Sequence, residues 1–121
     1  MKSGKSGISL TKIYGFHKIG VMEKRIAHYP LDAVKAVVAQ RGVDAFTKLA
    51  LLGIDGMGLS QVEGLDVVLK LKASIFYKSI TTHADHRVWQ DVYHAPCPNA
   101  KVAYIKVTIY LGATVIQFKE K

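Results

Sequence analysis

The chain has 121 residues, half of them apolar and 21% charged, with a net charge of +8 and a single cysteine. That composition fits one domain with a modest core and argues against a disordered chain. No apolar run nears the roughly 20 residues that span a bilayer, no apolar leader with a small-residue cleavage site opens the chain, and one thiol excludes an internal disulfide or a cysteine-rich metal site, so a cytoplasmic protein is expected.

The charge is unevenly placed. Residues 1–21 carry four lysines and no acid, residues 22–69 carry five basic and six acidic residues, and residues 70–121 carry eight basic and three acidic ones. A basic C-terminal part interleaved with Tyr, Trp and Phe suits a nucleic-acid surface, and equally suits a solvated basic surface. Residues 1–21 read as an N-terminal extension or leader, rich in Ser, Gly and Lys at its start, in which Ile8–Tyr14 could pass as a short strand. A single domain is expected over 22–121, with a second possible start at Met22.

Pro30 opens a helix of about ten residues that ends at Gly42, with Leu31, Val34, Val38 and Arg41 on one stripe. Asp44 is the candidate N-cap of a second helix, its apolar side supplied by Phe46, Leu49, Ala50 and Leu52, ending near Gly53 or Gly56. Ser60 followed by Glu63 is a capping-box pattern. The run Leu65–Leu71 after it is read as a continuation of that helix, although its period allows a strand. Ser74–Lys78 reads as a further helical turn, and Thr81–Asp85 as loop. From there the period changes to two. Arg87–Tyr93 is a strand, His94–Asn99 a loop because of its two prolines, and Lys101–Tyr110 with Ala113–Lys119 a hairpin around Leu111-Gly112. The expected fold class is α+β, with N-terminal helices packed on an antiparallel sheet.

Strand parity separates the last hairpin into two faces. Ala103, Ile105, Val107 and Ile109 belong on the core side; Tyr104, Lys106, Thr108 and Tyr110 take the other. A Leu111-Gly112 turn pairs Ile105 with Phe118, Val107 with Ile116, Lys106 with Gln117 and Tyr104 with Lys119; a turn one residue later shifts the register by two and keeps the faces. Either way Tyr104, Lys106, Gln117 and Lys119 share one polar face, paired Cβ atoms lying about 5 Å apart. Lysines there can bind a phosphate oxygen and tyrosine can stack on a base or bond a phosphate. The competing reading is an ordinary solvent-facing β-ribbon. His83, His86 and His94 cluster in sequence without enough partners for a metal site, and general acid–base work suits them better. Cys97 lies between prolines with no nearby base. Gly53–Gly58 is glycine-rich but lacks phosphate-loop spacing.

Several strings together resemble one family. They are Met22-Glu23-Lys24-Arg25, Phe76-Tyr77-Lys78-Ser79-Ile80-Thr81-Thr82, Asp85-His86, Trp89-Gln90-Asp91-Val92-Tyr93, Tyr104-Ile105-Lys106 and Phe118-Lys119-Glu120-Lys121. The sequence is similar to the MqsR family, toxins of bacterial type II toxin–antitoxin systems, over residues 22–121 and most closely over 76–121. The resemblance implies a RelE-like ribonuclease fold and ribosome-independent cleavage of single-stranded mRNA at GCU-like sites, which slows translation and growth and is linked to persistence and biofilm behaviour. It implies an antitoxin partner with a zinc-binding N-terminal domain and a helix-turn-helix domain, and no direct DNA binding outside that complex. Carried over residue by residue, the family's functional positions are Lys78, Gln90, Tyr104 and Lys119, with Lys78 expected on a helix and Gln90 on the first strand. Lys106, Gln117, Tyr77 and His86 are assigned to substrate binding. Two positions depart: His94 stands where Arg is usual after the WQDVY string, and His83 where a Tyr is expected.

The expected chemistry is metal-independent and needs no cofactor. The RNA 2′-hydroxyl attacks the adjacent phosphate, leaving a 2′,3′-cyclic phosphate and a 5′-hydroxyl. Lys78 and Lys119 stabilise the phosphorane-like charge, one of them being a candidate base if crowding lowers its pKa. Tyr104 orients the phosphate, stacks a base or donates a proton, and Gln90 positions the substrate. The alternatives are a non-catalytic RNA- or DNA-binding module on the same face, and a module that docks an acidic protein.

Overall fold

Alternating apolar residues in the C-terminal half build most of a six-stranded antiparallel sheet, in a computed structural model that describes residues 14–17, 21–109 and 112–121. In chain order the elements are β1 (Tyr14–His17), β2 (Val21–Lys24), α1 (Leu31–Arg41), a 3-10 turn (Gly42–Ala45), α2 (Lys48–Gly56), α3 (Gln61–Leu69), a second 3-10 turn (Ala73–Ile75), β3 (Phe76–Thr81), β4 (Trp89–Pro96), β5 (Val102–Val107) and β6 (Val115–Glu120). The strands lie side by side in that same order. The α+β class is as expected, but strands also precede the helices. β2 pairs with β3 across the whole helical excursion, and Tyr14–His17, upstream of residue 22, forms an edge strand on β2. The strand candidate Ile8–Tyr14 otherwise lies outside the described residues.

The helices cover one face of the sheet. α1 starts after Pro30 and stops at Gly42, whose φ of 60° is left-handed backbone that favours glycine. Val34 and Val38 on its stripe are fully buried. α3 carries the expected capping box: Glu63 N–H donates to Ser60 Oγ at 3.1 Å and Ser60 N–H to Glu63 Oε1 at 2.8 Å. α2 differs from expectation. Its N-cap is Thr47, not Asp44, because Phe46 and Thr47 are extended to meet β6. Phe46 bridges Val115, Thr47 N–H donates to Val115 O and Thr47 Oγ1 to Ile116 O, while Thr47 Oγ1 accepts from Ala50 N–H. The buried stripe of α2 is then Ala50, Ile54 and, just beyond its end, Met57; Leu49 and Leu52, assigned to the apolar side, are about 60% exposed. Gly53 faces the edge strand so closely that a Cβ there would stand 1.6 Å from the Phe118 carbonyl oxygen. These helical side chains close over Tyr93, Ala95, Ala103, Ile105, Val107, Val115 and Phe118 from β4, β5 and β6.

Three strand boundaries move. Residues 76–78, read as helix, belong to β3; the chain makes one 3-10 turn at 73–75 and then pairs with β4, where a register irregularity lies between Phe76 and Lys78. His94, Ala95 and Pro96, read as loop, continue β4. Cys97 N–H bonds Lys101 O on the β5 side, so by alternation the missing N–H of Pro96 falls on the β3 side, where β3 has already ended opposite Tyr93. In the last hairpin Tyr104–Lys119, Ile105–Phe118 and Lys106–Gln117 pair as expected, but a bulge then sets Val107 opposite Val115 rather than Ile116. Past that bulge Thr108, assigned to the polar face, is 4% exposed and bonds Tyr29 and the Trp89 carbonyl. Most of the Leu111-Gly112 turn lies outside the described residues.

Candidate active site

The face of the sheet turned away from the helices collects the chemistry, and cross-strand register explains how. Directly paired residues share a face. Lys78 pairs with Val92, Val92 with Lys106, and Lys106 with Gln117, which makes one row across β3, β4, β5 and β6. A second row runs from His94 to Tyr104 to Lys119. Ile80 and Gln90 form a third. The irregularity between Phe76 and Lys78 lets Tyr77 join the second row: its ring stacks on His94 with centroids 4.3 Å apart.

Four of the eight expected residues line one depression of about 410 Å³, namely Lys78, Gln90, Tyr104 and Lys106, together with Ile80, Thr82 and His83. Lys119 sits at its margin, its Nζ 5.3 Å from the centre of the Tyr104 ring, and Lys106 Nζ lies 5.9 Å from the same ring. Gln117 stands beside Lys106 on β6. Tyr77 is exposed at the other end of the row. His86 does not line the depression; it is exposed in the β3–β4 loop, where Arg87 and Asp85 form an ion pair.

The electrostatics are those of crowded cations. Burial, then Lys119 and Lys78, pull the Lys106 pKa below its usual value. Burial, then Tyr77, raises that of Tyr104, so its hydroxyl stays protonated. Burial, then Lys121, lowers that of His94. Sequence reasoning missed Glu23. It reaches from β2 to Lys78 Nζ at 3.2 Å and to Arg25 at 3.3 Å, and supplies the face's counter-charge. Its place in the Met22–Arg25 string was visible; its pairing across the sheet was not. Among the described residues no three His, Cys, Asp or Glu side chains group to hold a metal ion.

Helices backing an antiparallel sheet whose free face is basic and aromatic make an α+β fold consistent with the RelE-like toxin class. Within that class the chain belongs to the MqsR toxin family. The family model described as motility quorum-sensing regulator, toxin of MqsA, matches residues 26–120. The mRNA interferase toxin MqsR of Escherichia coli (strain K12) is 41% identical over 100 residues, covering 83% of this chain and all of that protein.

Proposed function

We propose that the chain is a toxin-system mRNA interferase: a cytoplasmic endoribonuclease that cuts single-stranded mRNA at GCU-like triplets. The observation that carries this reading is the meeting of Lys78, Gln90, Tyr104 and Lys106 around one depression on the exposed face of the sheet, in a chain similar along most of its length to a named mRNA interferase. A sheet face bearing three lysines and two tyrosines offers a phosphate charge and donors, and a base something to stack on.

In the reaction the 2′-hydroxyl oxygen attacks phosphorus and the bond to O5′ breaks, giving a 2′,3′-cyclic phosphate and a 5′-hydroxyl. Lys78, Lys106 and Lys119 stabilise the charge on the phosphorane-like transition state in a partly desolvated site. Tyr104, protonated at neutral pH, donates to the departing O5′. Gln90 bonds the substrate within the depression, Gln117 and Tyr77 extend the binding surface across the sheet, and His86 adds to it from the β3–β4 loop. The toxin domain expected over residues 22–121 takes in Val21 and the edge strand β1 as well, which pair within its sheet. Its antitoxin is a two-domain protein, a zinc-binding part that contacts the toxin and a helix-turn-helix part that binds the operator. No described helix is long and apolar enough to cross a membrane.

The test is cleavage of a GCU-containing RNA in EDTA with both new ends mapped. Cyclic phosphate and 5′-hydroxyl ends are expected; 3′-hydroxyl products, or loss of cleavage in EDTA, would overturn the mechanism. Binding with a steep salt dependence and no cleavage of any RNA would favour a non-catalytic nucleic-acid module instead.

A further inference from the structure

We propose that His94 is the general base of the cleavage reaction, an inference that rests on the ribonuclease reading above. His94 lies on β4 between its two neighbouring strands. From the β3 side Tyr77 stacks on it at 4.3 Å and 26°; from the β5 side its register partner Tyr104 stands at 5.8 Å and 38°. The two phenols flank the imidazole, Tyr77 stacked on its face and Tyr104 tilted beside it. What remains for a ligand is the edge of the ring, where its nitrogens are. Cations lie against both phenol rings, Arg25 5.4 Å from the Tyr77 ring and Lys119 5.3 Å from the Tyr104 ring.

Among the described residues no hydrogen bond occupies either nitrogen of His94, whereas Nδ1 of His28, on the other side of the sheet, lies 2.8 Å from Lys24 Nζ. The charged and titratable groups that face His94 are Tyr77 and Lys78 from β3, Tyr104 and Lys106 from β5, and Lys119 and Lys121 at the C-terminal end. None is an acid. Glu23, the acid on this face, is paired to Lys78 and Arg25, and Asp91 is directed to the opposite face, where it accepts from His28 and Tyr29. An imidazole in such company is neutral near pH 7 and has a lone pair free to take a proton.

The step then balances with the groups present. As O2′ bonds to phosphorus, its proton passes to an imidazole nitrogen of His94. As the phosphorus–O5′ bond breaks, O5′ takes the Tyr104 hydroxyl proton. The imidazolium and the phenolate, cross-strand neighbours, exchange a proton through solvent and reset the site. No oxidant, reductant or metal enters.

The experiment is single-turnover cleavage of a short GCU-containing RNA across pH 4.5–9 by the intact protein and by H94Q and H94R. The unaltered protein should show an acidic limb of unit slope with its midpoint below the ordinary imidazole value of 6.5. H94Q should lose about 10²-fold in rate and lose the limb, with KM little changed. H94R restores a cation but no base, so it should stay as slow as H94Q. A limb that survives in H94Q assigns the base elsewhere, Lys106 being next, and overturns the proposal; so does full activity in H94R, which would make the role purely electrostatic. Should H94Q fail to fold, the nuclear magnetic resonance titration of His94 in the unaltered protein must coincide with the kinetic limb, and a mismatch overturns the proposal equally. An unaltered protein that cleaves no RNA refutes the ribonuclease reading itself, a distinguishable result.

Discussion

β4 carries two polar clusters on its two sides, built from similar residues to opposite ends. Behind the sheet, Asp91 is fully buried and its carboxylate accepts from His28 N–H at 3.0 Å and Tyr29 N–H at 2.9 Å. The Tyr29 hydroxyl donates to the Trp89 carbonyl and lies 2.8 Å from Thr108 Oγ1, while Lys24 sits 4.2 Å over the Trp89 ring. Each group there answers another. In front, among the described residues, the side chains of Gln90, His94, Tyr104, Lys106, Gln117 and Lys119 make no hydrogen bonds to one another, and the ion pairs are those of Glu23 with Lys78 and Arg25. Polar groups that satisfy each other fix the chain; groups held close by a rigid sheet and left unsatisfied are reserved for a ligand. Trp89 and Asp91, held from behind, flank Gln90, so the rear cluster also sets the front one.

The sharpest way to break that contrast is to exchange damage between the sides. Asp91→Ala leaves two backbone donors behind the sheet without their acceptor and should cost about 3 kcal/mol, read from the midpoint of urea unfolding. An unchanged midpoint would mean that the network does not hold the strand. Tyr104→Phe removes one hydroxyl in front and should lower kcat about 10²-fold while leaving stability within about 0.5 kcal/mol. A variant that loses stability and keeps its rate would place Tyr104 with the scaffold.

The front was more legible in the sequence than the rear. Period-two alternation gave the faces of β5 and β6, and their common pairing gave Tyr104–Lys119 and Lys106–Gln117. It failed beyond Lys106 because a bulge adds a residue without changing composition, and so Thr108 was placed outside. The resemblance points to Lys78 but the local sequence suggests a helix there, since a stretch that follows one helix and precedes a loop shows no period of its own; its partner strand, β4, decides the matter. The Tyr77–His94 stack depends on the irregularity between Phe76 and Lys78, and the Asp91 network joins residues 62 and 63 positions apart. Neither leaves a local signal. The start of α2 at Thr47 likewise depends on a contact with β6, not on the local capping residues.

Glu23→Gln probes the one place where the front is already occupied. The pair with Lys78 is mostly buried, its side chains 13% and 18% exposed, so its loss should cost about 1–3 kcal/mol. Lys78 would then be free for a phosphate. RNA affinity should rise, and its dependence on the logarithm of salt should steepen by about 0.7. An unchanged slope would show that Lys78 never reaches the backbone of the RNA.

The smallest effect separates the two histidines. His28 behind the sheet and His94 in front both titrate below the ordinary value of 6.5, in each case chiefly through burial, with Lys24 adding to it at His28 and Lys121 at His94. Unfolding exposes both to water, so the unfolded chain takes up protons that the folded one resists. Their contribution to stability is complete above pH 6.5 and is lost as the pH falls toward the lower folded-state values. Asp85, whose pKa Arg87 holds below 3.8, acts only in a more acidic window. Stability measured from pH 7.5 down to 5 should therefore fall gently, and His28→Gln and His94→Gln should each remove part of the slope. A bound 2′-deoxy oligonucleotide, which cannot be cleaved, brings phosphate charge to His94 alone. It should abolish the His94 share of the slope and leave that of His28 in place. If both shares vanish together, the two sides of the sheet are not electrostatically separate, and the division between a self-satisfied rear and a waiting front fails at its most sensitive point.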